Sequence, residues 1–232
     1  MKIIYLNTWG GKQERELRKF LQKHAKNTDI FCFQESEDAF RRIAYDYLVD
    51  FTEYYVYSRD DIEENQEDYA VSTFIKKGLS VYSTQIVGSN QLPRGAGIVS
   101  SVDTKRGGLH VLNYHGVSRP KNKLDTEDRL KEVANLQAHF DKLTGMKILG
   151  GDFNFLPNTD SYRALQSIES KELIGEYRIP TTRNRLYWDN REEKHLYSDY
   201  IFISSEIPIK SFEVPDIEVS DHLPLILNLD LS

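Results

Sequence analysis

The chain has 232 residues and a single cysteine, a length at which one domain buries roughly 70% of its unfolded surface. Hydrophobic residues make up 39% and charged residues 28%, with 14 Tyr and 11 Phe, which excludes a disordered chain and implies an aromatic-rich core. Net charge is −6, but Arg59 to Asp68 alone holds six acids against one arginine; the rest is near neutral, which excludes a broad basic field for gripping a polyanion.

In chain order, Met1-Lys2 leads straight into Ile3 to Leu6, a short apolar run that reads as a strand. No apolar leader precedes it and no stretch is long enough to cross a bilayer, so a cytoplasmic monomer is expected. Leu17, Phe20, Leu21 and His24 then recur at helical spacing, and Phe40, Ile43, Ala44 and Tyr47 do the same. Between them Ile30 to Phe33 forms a second strand, in which Cys32 is a small core hydrophobe and not a nucleophile. The acidic run 59–68 reads as a solvated loop.

Further strands are expected at Ala70 to Ile75, Ala96 to Val99, Leu109 to Tyr114, Lys147 to Leu149, Tyr200 to Ile203 and Leu225 to Leu229. A third helix spans about 127–143, with Asp125 or Thr126 as its cap and Leu130, Val133, Leu136 and Phe140 facing inward. A shorter helix follows Asp160. No internal repeat or linker is visible, so residues 1–232 read as one domain whose helices cover its sheets.

Polar residues close or open these runs in a consistent way. Asn7, Glu35, His115 and Asp152-Phe153-Asn154 follow apolar stretches, Asp199 opens one, and Asp221-His222 precedes the last. Singly each is an ordinary turn residue. Together they supply carboxylates, carboxamides and histidines with no thiol, a set suited to a hard cation and a phosphate.

The order Leu6-Asn7-Thr8-Trp9, Phe33-Gln34-Glu35, Asn113-Tyr114-His115, Gly151-Asp152-Phe153-Asn154, Ser198-Asp199-Tyr200 and Ser220-Asp221-His222 resembles the endonuclease/exonuclease/phosphatase superfamily of DNase I-like phosphoesterases. The resemblance implies an α/β (α+β) four-layer αββα sandwich, two packed mixed β-sheets flanked by helices. It implies Glu35, Asn7 and Asp221 as the metal set for Mg²⁺, with Mn²⁺ as substitute, and Asp152, Asn154, His222, His115 and Asp199 as catalytic residues. Asp152 would hold the attacking water, Asn154 and His222 would contact the phosphate, and Asp199 would accept from the other His222 ring nitrogen. Glu67-Asp68-Tyr69 aligns weakly with a Glu-x-Tyr segment that serves the second histidine.

Hydrolysis of a phosphodiester needs an aimed water and neutralised equatorial oxygens, and an Asp-paired imidazole, fixed in tautomer and favoured as imidazolium, suits the second task by donating to a phosphoryl oxygen. Arg94, Arg119, Thr181, Arg183, Tyr187 and Trp188 are further candidates for substrate contact. The expected activity is a Mg²⁺-dependent phosphodiesterase acting on a phosphoester, with nucleic acid as the leading partner. The alternatives are a small-molecule, sphingomyelin-like lipid or inositol phosphate substrate, and, more remotely, a silent binding module. Whichever of Asp152 and His222 takes the water's proton, these groups are expected in an exposed cleft where substitution leaves the fold unharmed.

Overall fold

The computed structural model describes residues 1–60, 67–88, 95–166, 170–189 and 194–231. Two six-stranded sheets face each other. The first has the order β11-β12-β1-β2-β4-β3, from β1 (Lys2–Asn7), β2 (Ile30–Gln34), β3 (Phe51–Asp60), β4 (Glu67–Lys76), β11 (Ile209–Glu213) and β12 (Leu225–Leu229). The second runs β5-β6-β7-β8-β10-β9, from β5 (Val81–Gly88), β6 (Ala96–Thr104), β7 (Gly107–His115), β8 (Met146–Asp152), β9 (Ser170–Glu172) and β10 (Asp199–Ser204). Each sheet has one parallel step at its centre, β1–β2 and β7–β8, flanked by antiparallel pairs.

A parallel neighbour requires a crossover, and helices supply it. Helix α1 (Glu14–His24) links β1 to β2, and α3 (Glu127–Phe140) links β7 to β8. Helix α2 (Asp38–Tyr47) follows β2, and α4 (Asp160–Gln166), α5 (Leu173–Glu176) and α6 (Arg185–Trp188) precede β10. Period-two alternation splits β1 between two layers: Ile3 and Tyr5 join the core between the sheets, whereas Ile4 and Leu6 pack with Leu17, Phe20, Phe40 and Ile43 of α1 and α2. The architecture is therefore a sandwich of two mixed sheets under helical outer layers, as the resemblance implied.

Close approach of the sheets depends on Gly150, where a Cβ would stand 2.5 Å from the Tyr5 ring. Gly151 has φ +137°, and a Cβ there would meet the Tyr114 carbonyl oxygen at 2.0 Å. The glycine pair is thus a packing requirement that brings Asp152 to the sheet edge. Across the interface the Gln34 amide donates to Asn113 Oδ1 at 2.6 Å, and Asn113 Nδ2 donates to the Ser72 carbonyl and Thr73 hydroxyl of β4.

Two local expectations are corrected, the inward place of Leu130 and the acidic run as a loop, and the choice of cap for α3 falls to Thr126. Leu130 is 41% exposed, because the inward face of α3 uses Arg129, Glu132, Val133, Leu136 and Phe140. Thr126 caps that helix, leaving Asp125 to accept from the Asp160 and Ser161 amides at the start of α4. The acidic run is only partly a loop: Arg59 and Asp60 pair with Asp68 and Glu67 as the β3–β4 hairpin continues, and residues 61–66 lie outside the described residues. The side chains of Glu67, Asp68 and Tyr69 also lie outside them.

Candidate active site

The carboxyl ends of both parallel pairs converge on one cleft. Asn7 closes β1 beside Gln34 of β2, and His115 closes β7 beside Asp152 of β8. Asn7 ties the two sheets: its Nδ2 donates to Glu35 Oε1 at 3.0 Å and to Asp152 Oδ2 at 3.1 Å, while its Oδ1 accepts from the Trp9 amide at 3.0 Å. Glu35 (φ +47°) and Asn154 (φ +57°) occupy the left-handed region, a backbone cost borne just where side chains must be re-aimed into the cleft.

Asp199 opens β10 directly opposite Asp152 in the antiparallel register. The His222 ring Nδ1 lies 2.8 and 3.0 Å from the two Asp199 oxygens, so it donates there and turns Nε2 toward Asp152 Oδ2, 3.6 Å away. Asp221 Oδ1 is 3.9 Å from the same nitrogen, so His222 is the partner of Asp199 and not of its neighbour. The segment is pinned by a bridge between Arg183 and His222 and by the Leu223 amide donating to the Thr182 carbonyl.

Beneath this pair lies a buried chain of which the sequence had singled out only Arg183. The Arg183 guanidinium donates to Ser198 Oγ at 2.8 and 3.1 Å, and Ser198 and Thr182 hydroxyls each donate to Asp199 Oδ2 at 2.9 Å. Arg183 is also 3.4 Å from Asp221 and 3.7 Å from Asp152, and its plane lies 4.3 Å over the Tyr187 ring. Ser198 precedes Asp199 in the Ser198-Asp199-Tyr200 motif, but a hydroxyl one residue from an acid gives no signal of its own.

Electrostatics follow from burial and neighbours. Burial alone would push the Asp152 carboxyl up, yet Lys123, His222 and Arg183 outweigh it and hold the group well below the usual carboxylate range. Burial pushes His115 down despite the nearby carboxylates of Asp152 and Glu35, which keeps its imidazole neutral at neutral pH. Asp152, Asn154 and His222 are 1%, 4% and 2% exposed, which overturns the expectation that they lie in an exposed cleft.

The cleft, of about 320 Å³, is lined by Glu35, His115, Asp152, Asn154, Arg183, Tyr187, Asp221 and His222. Trp9, Lys12, Glu37, Ser118, Lys121 and Lys123 complete it, and none of these six stood among the expected site residues. Arg119 is exposed and neither it nor Trp188 lines the cleft. Thr181 closes its own turn by donating to the Arg183 and Leu196 carbonyls, and its neighbour Thr182 reaches the site instead. Tyr187 is 4% exposed with a ring face taken by Arg183, so it supports the arginine and offers no stacking platform. Arg94 lies outside the described residues.

The oxygen donors around the cleft fit a hard divalent cation. Glu35, Asp152 and Asp221 are carboxylates, and Cys32 is sealed in the core between the sheets. Ligand atoms of Asp152, Asp199 and His222 also lie within 4.8 Å of one another. That trio is better occupied as a hydrogen-bonded relay, since both Asp199 oxygens already face His222 Nδ1 and two hydroxyls.

No curated protein sequence matches the chain. Among solved structures, an endonuclease/exonuclease/phosphatase from Bacteroides vulgatus superposes with a TM-score of 0.75 at 18% identity, covering 100% of this chain and 98% of that one. The human Nocturnin catalytic domain with bound sulfate gives 0.71 at 17% identity over 100% and 94%. D. rerio TDP2 complexed with a single-strand DNA product gives 0.73 at 14% identity over 99% and 98%. These likenesses establish the fold. The model of the Endonuclease/Exonuclease/phosphatase family matches residues 4–222, nearly the whole chain, and so the chain belongs to that family of metal-dependent phosphoester hydrolases.

Proposed function

We propose that this single domain is a Mg²⁺-dependent phosphodiesterase, with Mn²⁺ as substitute, that cleaves a phosphodiester of a nucleic acid or of a processed DNA end. The observation that carries the reading is the Asp152–His222–Asp199 arrangement facing Glu35 and Asp221 across one polar cleft. Glu35 and Asp221 would hold the cation, with Asn7 fixing Glu35 and Asp152 through its amide nitrogen. When bound, the cation supplies charge neutralisation at the phosphate.

The remaining work falls to the chain's own groups. Asp152, ionised across the working pH range, accepts a hydrogen bond from the attacking water; an acid held so far down is a weak proton acceptor, which suits orientation of the water. His222, as the imidazolium with its Nδ1–H committed to Asp199, donates its second N–H from Nε2 to a phosphoryl oxygen in the cleft. Asn154 spends one amide hydrogen on the Gly116 carbonyl and has the other for the phosphate. His115, neutral in its buried site, adds a third contact.

A second reading, a small-molecule, lipid-headgroup or inositol phosphoester, is favoured by the local charge. Lys12, Lys121, Lys123 and Arg183 face Glu35, Glu37, Asp152 and Asp221, so the cation alone would turn a balanced lining positive, without a basic track for a long strand. A panel of plasmid, single-stranded oligonucleotide, bis-(p-nitrophenyl) phosphate, sphingomyelin and inositol phosphates, assayed with Mg²⁺ and with EDTA, separates the two. Turnover that survives EDTA, or that Glu35→Gln leaves intact, removes the metal assignment.

A further inference from the structure

Lys123 is the buried charge that the fold leaves unpaid. Its residue is 5% exposed, and among the described residues its ammonium has one hydrogen-bond acceptor, Asn154 Oδ1 at 2.5 Å, and no carboxylate within ion-pair reach. Arg183, the other buried cation of the cleft, sits against Asp221 and Asp152. A desolvated ammonium with hydrogens to spare is costly in a finished interior. At the wall of a cleft it is a place prepared for an anion.

The backbone is shaped to deliver this side chain. Lys123 has φ +56°, a conformation that side-chain-bearing residues rarely adopt. The segment that carries it is clamped from α3: the Arg129 guanidinium, 0% exposed, donates to the carbonyls of Val117 (3.3 Å), Pro120 (2.7 Å) and Leu124. Glu132, one turn along, accepts from the Val117 amide at 3.2 Å. The Lys123 carbonyl in turn accepts from the Leu156 amide, tying the segment to the chain just beyond Asn154. Two buried ionic groups of α3 thus fix a loop whose inward-facing side chain is a lysine.

We propose that Lys123 is a further catalytic residue, a phosphate-binding cation that contacts a non-bridging oxygen of the scissile group beside Asn154, with Arg129 as its positioning residue. This rests on the phosphoesterase reading for its substrate. It adds a direct cationic contact from the 117–124 loop to those of the strand-end residues. Burial, the largest influence, lowers the Lys123 pKa to about 8; Arg183 and Arg129 act in the same direction, and Asp152 and Asp199 oppose them by favouring its charge.

The test uses the whole chain in three forms, wild type, Lys123→Met and Lys123→Arg, with inorganic phosphate binding in Mg²⁺ measured by calorimetry and turnover measured on bis-(p-nitrophenyl) phosphate. Lys123→Met should weaken phosphate binding by about 10-fold or more and lower kcat/KM by about 10²-fold, the scale of one positioned charge donor. Wild-type phosphate binding should weaken above about pH 8 as Lys123 loses its proton, and Lys123→Arg should regain most of the binding without that weakening, because guanidinium stays charged. A purely structural lysine would show its effect in thermal unfolding and leave phosphate binding within twofold, and that result overturns the proposal. If wild type hydrolyses none of the panel yet binds phosphate through Lys123, the site stands and the phosphodiesterase reading falls. If it hydrolyses with phosphate affinity indifferent to Lys123, the reading stands and this inference falls.

Discussion

Replacing Asp199 by Asn separates the relay from the alternative metal trio. Asp199 is 3% exposed and its Oδ2 accepts from Thr182, Ser198 and His222, while Oδ1 is 2.8 Å from His222 Nδ1. An Asn of the same shape keeps one oxygen for the hydroxyls but presents an N–H or a weaker acceptor to the imidazole. The fold should lose about one charge-assisted hydrogen bond, roughly 1.5–3 kcal/mol. For a chain of this size that lowers Tm by about 3–12 °C, leaving the protein folded at 25 °C. Turnover should fall further, by about 10²–10⁴-fold, as when an imidazole loses its orienting carboxylate, equivalent to about 3–5 kcal/mol of barrier. The assay is kcat at saturating Mg²⁺, with metal affinity measured beside it. A kcat within about threefold of wild type, or a loss that excess Mg²⁺ restores, would refute the relay and point to Asp152, Asp199 and His222 as metal ligands.

Other expectations test the fold and the charges. Gly150→Ala drives a methyl into the Tyr5 ring and should cost about 1–3 kcal/mol, seen in denaturant midpoint and with reduced turnover. Leu136→Ala, in the core, should destabilise by about 2–5 kcal/mol, whereas Leu130→Ala, on the exposed face, should stay within about 0.5 kcal/mol. Lys123 binds its proton less tightly in the fold than when unfolded, so between about pH 8 and 10.5 the unfolded chain holds more protons and stability should rise with pH. Subtracting the unfolding free energies of Lys123→Met across that window isolates the rise; a flat difference contradicts the buried ammonium.

Legibility in the sequence followed the strength of local pattern. Apolar runs such as Ile30 to Phe33 and Tyr200 to Ile203 marked the buried strands because both of their faces are covered. Strands with a wet face escaped notice: β5 buries only Val87 among half-buried and exposed residues, and β11 buries only Phe212. The site residues at strand ends were readable because the sheet edge fixes where they go. Lys123, Thr182 and Ser198 were not, since their roles come from a clamp on α3 and from hydrogen bonds between segments apart in the chain, Thr182 to Asp199 and Arg183 to Ser198. Leu130 misled because hydrophobic spacing identifies a face, while the true face of α3 also holds Arg129 and Glu132.

The two sheets share a strand pattern with a consequence for the engineering of the chain. Taken outward from the parallel step, β1-α1-β2 with β3–β4 and β11–β12 on its flanks corresponds to β7-α3-β8 with β9–β10 and β5–β6. The second set is one continuous stretch, Val81–Ser204; the first is divided, with β11 and β12 arriving at the far end of the sequence. No repeat is visible in the residues, yet the two halves share one topology, continuous in the second and divided in the first. Met1 and Leu229 close that division by exchanging backbone hydrogen bonds of 2.9 and 2.7 Å. A circular permutant joined across that seam and opened at 205–208 would place the halves in tandem, each contributing one pair of strand ends, Asn7 with Glu35 and His115 with Asp152, to a cleft neither half holds alone.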